Sequence, residues 1–102
     1  LESSSKISDL LPEVTSIRTY PNPFNYRFVI EFELIKDQIV NIDLFSIRGD
    51  FIERMYAGQK SKGKQRFNLN VNELNHEISS GVYILSVNSS LKNNSHKILY
   101  LK

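Results

Sequence analysis

The residues able to do chemistry are few and scattered. His76 and His96 are the two histidines of a 102-residue chain, and neither stands at His-x-x-x-His spacing or inside an acidic cluster. There is no cysteine, hence no thiol nucleophile, no thiolate zinc site and no disulfide framework. Serine, histidine and aspartate are all present, but the Gly-x-Ser-x-Gly elbow that would expose a serine nucleophile is missing. The four glycines are dispersed, so none builds a phosphate-cradling loop. Both histidines read as solvated surface residues. The expectation is a non-enzyme with no catalytic residue, no cofactor and no metal.

Two charge patterns stand out. Lys60, Lys62, Lys64 and Arg66 alternate, so in an extended chain all four project to one side, a ridge suited to an anionic sugar, headgroup or phosphate. The plainer reading is a solvated hairpin tip broken by Gly63. Lys97 and Lys102 bracket Ile98-Leu99-Tyr100-Leu101. Read structurally, that is a closing edge strand whose lysines discourage sheet-to-sheet pairing; read functionally, it is a basic, strand-shaped tag. The net charge of +2 argues against a dedicated nucleic-acid binder.

The elements that must position these groups begin at Tyr20-Pro21-Asn22-Pro23-Phe24. Two prolines one residue apart fix φ twice, remove two backbone donors and push Asn22 towards extended geometry. The run 27–34 that follows alternates, with Phe28, Ile30, Phe32 and Leu34 on one face and Glu31 and Glu33 on the other, as a half-buried antiparallel strand does. A polar turn at 36–38 leads to Val40, Ile42 and Leu44 on a third strand, and the two runs read as a hairpin. Gly49 marks the next turn, at the position most in need of φ above zero. A weaker strand covers 51–56, a polar loop 59–65, and another alternating strand 66–70. One helical turn is expected near 72–75, capped by Asn70 or Asn72. Gly81 opens an apolar strand over 82–87, a polar turn spans 88–95, and the last strand runs to Lys102.

With a first strand at 14–20, this makes about seven short strands at roughly 8–12-residue spacing, the pattern of an all-β sandwich. Composition agrees: 40% hydrophobic and 11% aromatic residues suffice for one small core. Residues 1–14, Ser-rich with scattered Ile7, Leu10 and Leu11, read as a linker or tether, with the domain proper at 15–102. No signal peptide opens the sequence, and Leu1–Lys6 reads as part of something longer. In Gly81-Val82-Tyr83-Ile84-Leu85 a tyrosine stands two residues before a core position, as in the sixth strand of immunoglobulin-like sandwiches. Leu85, paired with Ile30 or Phe32, would replace the disulfide found there in antibodies.

The ordered set Tyr20-Pro21-Asn22-Pro23-Phe24-Asn25, Val40 to Gly49, Gly81 to Leu85 and Lys97 to Lys102 resembles the C-terminal sorting domain, type A, of cargo carried by the type IX secretion system of Bacteroidetes. The resemblance covers about Tyr20 to Lys102, its last motif closing the sequence. It implies an immunoglobulin-like antiparallel sandwich that targets an upstream cargo in the same chain to the secretion machinery at the outer membrane. It further implies removal by a sortase-like protease, passage through the periplasm, and a secreted or cell-surface destination. The sorting-motif residues carried over are Pro21, Asn22, Pro23 and Phe24, then Gly49, then Gly81 and Tyr83, then Lys97 and Lys102. The second motif usually holds an Asp near Ser46, and this chain departs there.

Two alternatives accompany that reading. One is an accessory carbohydrate- or cell-surface-binding module using exposed Tyr26, Tyr56 and Tyr100 as aromatic platforms. The other is the immunoglobulin-like domain of flagellar hook-capping proteins, which shares the opening motif but usually carries a Trp-x-Gly segment; this chain has no Trp. A homodimer by edge-strand pairing or tether exchange is a further expectation. Terminal-strand docking by β-strand addition would be the recognition mechanism.

Overall fold

A computed structural model describes residues 14–89 and 93–102. The tether expected over residues 1–14 therefore lies, apart from Val14, outside the described residues. Seven strands follow in order: β1 (Val14–Tyr20), β2 (Arg27–Leu34), β3 (Gln38–Ser46), β4 (Phe51–Lys60), β5 (Gly63–Asn70), β6 (Gly81–Asn88) and β7 (Asn93–Tyr100). They form two antiparallel sheets, one ordered β1-β2-β5 and the other β4-β3-β6-β7. The all-β sandwich is thus the observed architecture. A 3-10 turn, Val71–Glu73, joins β5 towards β6, and Asn70 caps it by accepting from the Asn72 amide at 2.8 Å.

Alternation along the strands builds the core. Phe28, Ile30, Phe32 and Leu34 from β2 face Val40, Ile42 and Leu44 from β3, with Leu69, Leu85, Val87, Ile98 and Tyr100 completing the cluster. Ile30 and Leu85 have no exposed surface and Phe32 has 3%, so the three residues expected to stand in for a disulfide share one interior. Each such buried side chain contributes about 1.5–3 kcal/mol.

The local pairing differs from the sequence reading in three places. β2 and β3 are not a hairpin: β2 pairs with β1 and β5, β3 with β4 and β6. Their apolar faces meet across the sandwich rather than side by side, so residues 35–37 form a crossover between sheets. The expected loop at 59–65 is mostly strand, because β4 runs through Gly58 to Lys60 and β5 starts at Gly63. Polar residues there face solvent on a sheet edge, which alternation in so polar a stretch does not reveal. The turn expected at 88–95 is shorter, since β6 extends to Asn88 and β7 begins at Asn93, and β7 ends at Tyr100 rather than running to Lys102.

Candidate functional site

The prolines of the opening motif act where β1 ends. Pro21 and Pro23 are both preceded by cis peptide bonds and both exposed, and they carry the chain from the edge of the three-stranded sheet to the edge of the four-stranded one. Phe24, the first residue after them with a free amide, makes a parallel bridge to Tyr100. Its amide donates to the Leu99 carbonyl at 3.0 Å, and its carbonyl accepts from the Leu101 amide at 2.8 Å. The side chain of Asn22 extends the same ladder. Its Oδ1 accepts from the Leu99 amide at 3.0 Å, and its Nδ2 donates to the Lys97 carbonyl at 3.2 Å. A side-chain amide offers one acceptor and two donors, so here it does the work of a peptide group that proline cannot supply. Its second donor reaches Thr19 Oγ1 at 3.2 Å.

The ring of Phe24 closes this clasp from inside. It is 3% exposed and sits between Phe28, 4.6 Å away by ring centroids, and Tyr100, 5.2 Å away and stacked. The first and last sequence motifs, 75 to 77 positions apart, are therefore one structural unit. The third motif lies on its other side: Gly81 pairs with Tyr100 and Tyr83 with Ile98 in the β6–β7 register. The Tyr83 hydroxyl donates back to the Ser79 carbonyl four residues upstream, the corner bond of immunoglobulin-like sandwiches. Lys102 follows the strand; its amide donates to Ser80 Oγ at 2.8 Å, and its ammonium stands 3.8 Å from Glu77, an exposed pair that contributes little.

Gly49 is separate from the clasp. It adopts φ +93° in the β3–β4 turn, a conformation that favours glycine. Its amide donates to the Ser46 carbonyl at 2.9 Å, and Ser46 Oγ accepts from the amides of Arg48 and Asp50 at 3.2 and 3.1 Å. A hydroxyl thus does what an Asp carboxylate would do at that position.

The remaining candidates disperse. His96 Nε2 is 3.0 Å from Thr19 Oγ1, tying β7 to β1, while His76 Nδ1 is 3.2 Å from Glu53. Among the described residues no group of three His, Cys, Asp or Glu converges as a metal site would need. The cationic ridge is broken up. Lys64 and Arg66 lie opposite Glu33 and Glu31 on β2, and Lys60 folds its ammonium over the rings of Tyr56 and Phe67 at 5.4 and 5.3 Å. Glu31 also accepts hydrogen bonds from the Tyr20 hydroxyl and Arg18, which hold its carboxyl below the usual range. The three tyrosines do not form a sugar platform: Tyr100, expected to be exposed, is 4% exposed because its ring is needed against Phe24. Tyr56 is half-buried against Phe67, and Tyr26 stands apart beside Arg27.

Sequence reading missed Ser80 and Thr19, whose partners are distant in the chain. It also missed the network around Asp43 on the outer face of β3. Arg54 donates to both Asp43 carboxylate oxygens, at 2.8 and 3.2 Å, and Asn88 donates at 2.9 Å, which accounts for an aspartate only 3% exposed. The signal was the Asp43–Arg54 pairing across β3 and β4, invisible without the register.

A disulfide-free immunoglobulin-like sandwich whose proline-rich opening is locked onto its final strand defines a class of small β modules. Residues 18–101 match the family described as the secretion system C-terminal sorting domain, and the chain belongs to that family. It is a C-terminal secretion signal for type IX secretion, which separates it from the carbohydrate-module and hook-cap alternatives. Such a signal implies an upstream cargo, the secretion machinery as partner, and export or surface display. Sorting-signal domains are in general not catalytic. A comparison with curated proteins finds no match.

Proposed function

We propose that the clasp formed by Pro21, Asn22, Pro23 and Phe24 on β7 is the feature on which sorting depends, because it fixes the last strand and the lysines that flank it. Gly81 and Tyr83 hold the same strand from its β6 side, and Gly49 shapes the turn at that end of the sandwich. In this reading the domain occupies 15–102 behind a tether at 1–14. The domain has no catalytic role of its own. A sortase-like protease removes it after the cargo has passed the periplasm and reached the surface. A homodimer belongs to the same reading: the clasp reaches no further than Lys97, so a second copy adds to β7 upstream of that point, or exchanges the tether.

The observation that carries the proposal is the pair of hydrogen bonds from one side chain, Asn22, to Lys97 and Leu99. To test it, residues 1–102 are fused behind a secreted reporter in a type IX host. Export should fall strongly in Asn22→Ala and be lost when 97–102 are deleted. Unchanged export of the deletion would overturn the reading.

A further inference from the structure

The outer face of the four-stranded sheet carries a band of apolar side chains that none of the described residues covers. The β-sheet register aligns Phe51, Phe45, Ile84 and Lys97 in one row across β4, β3, β6 and β7, and Val82 with Leu99 in a neighbouring row. None of the five apolar residues belongs to the core cluster or packs against it. Phe51 is 58% exposed and Val82 37%, Ile47 in the β3–β4 turn is 57% exposed, and Phe45 and Phe51 meet edge to face at 5.7 Å. Contiguous exposed apolar surface of this kind marks an interaction site.

The edge of the final strand is, by contrast, already in use. Leu99 spends both its amide and its carbonyl on the clasp, and the Lys97 carbonyl and Leu101 amide are bound there too. Strand addition along 97–101 would first have to displace Asn22 and Phe24. What the last strand does present are its outward side chains, Lys97 and Leu99, and these lie in the apolar band.

From this we infer that the secretion machinery reads the domain through this sheet face rather than through the edge of β7. The inference rests on the sorting reading and names the surface that serves it. The partner it fits is a protein surface with an apolar strip that ends in a carboxylate, since exposed Lys97 closes the row of Phe51, Phe45 and Ile84. A second copy packing face to face would offer the same apolar strip and the same Lys97, with no carboxylate in these rows to receive it. A lipid surface is a poorer match, because Phe45, Ile84 and Leu99 are half-buried within a sheet face instead of protruding on an amphipathic helix.

The test uses the same reporter fusion of residues 1–102. Phe51→Asp and Lys97→Glu should each lower export by roughly tenfold or more, with melting temperatures like that of the parent. Lys97→Arg should retain export, and Lys64→Ser on the opposite sheet should leave it unchanged. If deletion of 97–102 abolishes export but Phe51→Asp and Lys97→Glu export normally, the face is not the docking surface while the sorting reading stands. If the deletion also exports normally, the sorting reading itself fails. Two further measurements bear on the occupant. Co-sedimentation of the 102-residue chain with phosphatidylglycerol vesicles, lost in Phe51→Asp, would overturn the protein partner in favour of lipid. A dimer in analytical ultracentrifugation, lost in the same variant, would overturn it in favour of a second copy.

Discussion

Ser46 shows how one hydroxyl can stand in for a carboxylate without loss of the turn. Its Oγ accepts from two backbone amides, of Arg48 and Asp50, while Gly49 supplies the positive φ that closes the loop. Removing the hydroxyl in Ser46→Ala should cost about 1–2 kcal/mol by urea denaturation, from two modest hydrogen bonds left unmade. Ser46→Asp should match or exceed the parent, because a carboxylate is the stronger acceptor beside the exposed Arg48. Glu31 makes a second case at this scale. Its carboxyl is held below the usual range, first by the Tyr20 hydroxyl and then by Arg18. A depressed pKa adds stability that is present above the unfolded-state value and fades as pH falls through the folded one. The stability gap between the parent and Glu31→Gln should therefore be widest near neutral pH, begin to narrow below about pH 4, and close as pH falls through the lower folded-state value. Equal gaps at pH 7 and pH 3 would show that the Tyr20–Arg18–Glu31 cluster has no energetic weight.

At the level of elements, what the sequence discloses and what it hides divide along a physical line. Period-two alternation in 27–34 shows a half-buried strand, because the faces of a strand are set by local geometry alone. The capping of a short turn by Asn70 is equally local. Which strands pair is not local: Leu34 and Gln38 are separated by a turn short enough for a hairpin, yet the chain crosses between sheets there because both apolar faces need the same core. The clasp is hidden for the same reason. Two prolines announce a stiff extended segment, but nothing in Tyr20–Phe24 says that Asn22 will complete the hydrogen bonds of a strand 75 positions later. Its energetic role can be measured directly. Asn22→Ala leaves the Leu99 amide and the Lys97 carbonyl to solvent and should cost roughly 1–3 kcal/mol. Hydrogen exchange at Leu99 should quicken in that variant, while exchange at Leu85 in the centre of the sheet should follow global stability only. Asn22→Asp should be no rescue, because it keeps the acceptor for Leu99 but sets a carboxylate against the Lys97 carbonyl.

The described residues share one core cluster and the sequence has no cysteine for a covalent staple, so the margin of the sandwich is small. Domains of this size hold about 5–15 kcal/mol in all. Phe32 is 3% exposed and stacks on Phe67 with ring centroids 5.7 Å apart, bridging β2 to β5. Phe32→Ala should cost about 3–5 kcal/mol, a large share of that total. Ile39→Ala, at a residue 57% exposed on the same sandwich, should cost little. The contrast separates two ways in which a secretion label could be read. A label read as linear sequence survives the loss of Phe32, since none of the motif residues changes. A label read as a folded surface does not, because unfolding releases the clasp and disperses the outer band together. Export of a Phe32→Ala fusion should then fall with temperature along the melting curve of the variant, and recover on cooling. Export that ignores the melting transition would mean that the machinery takes the last strand as an unfolded peptide, with the sandwich serving only to protect it beforehand.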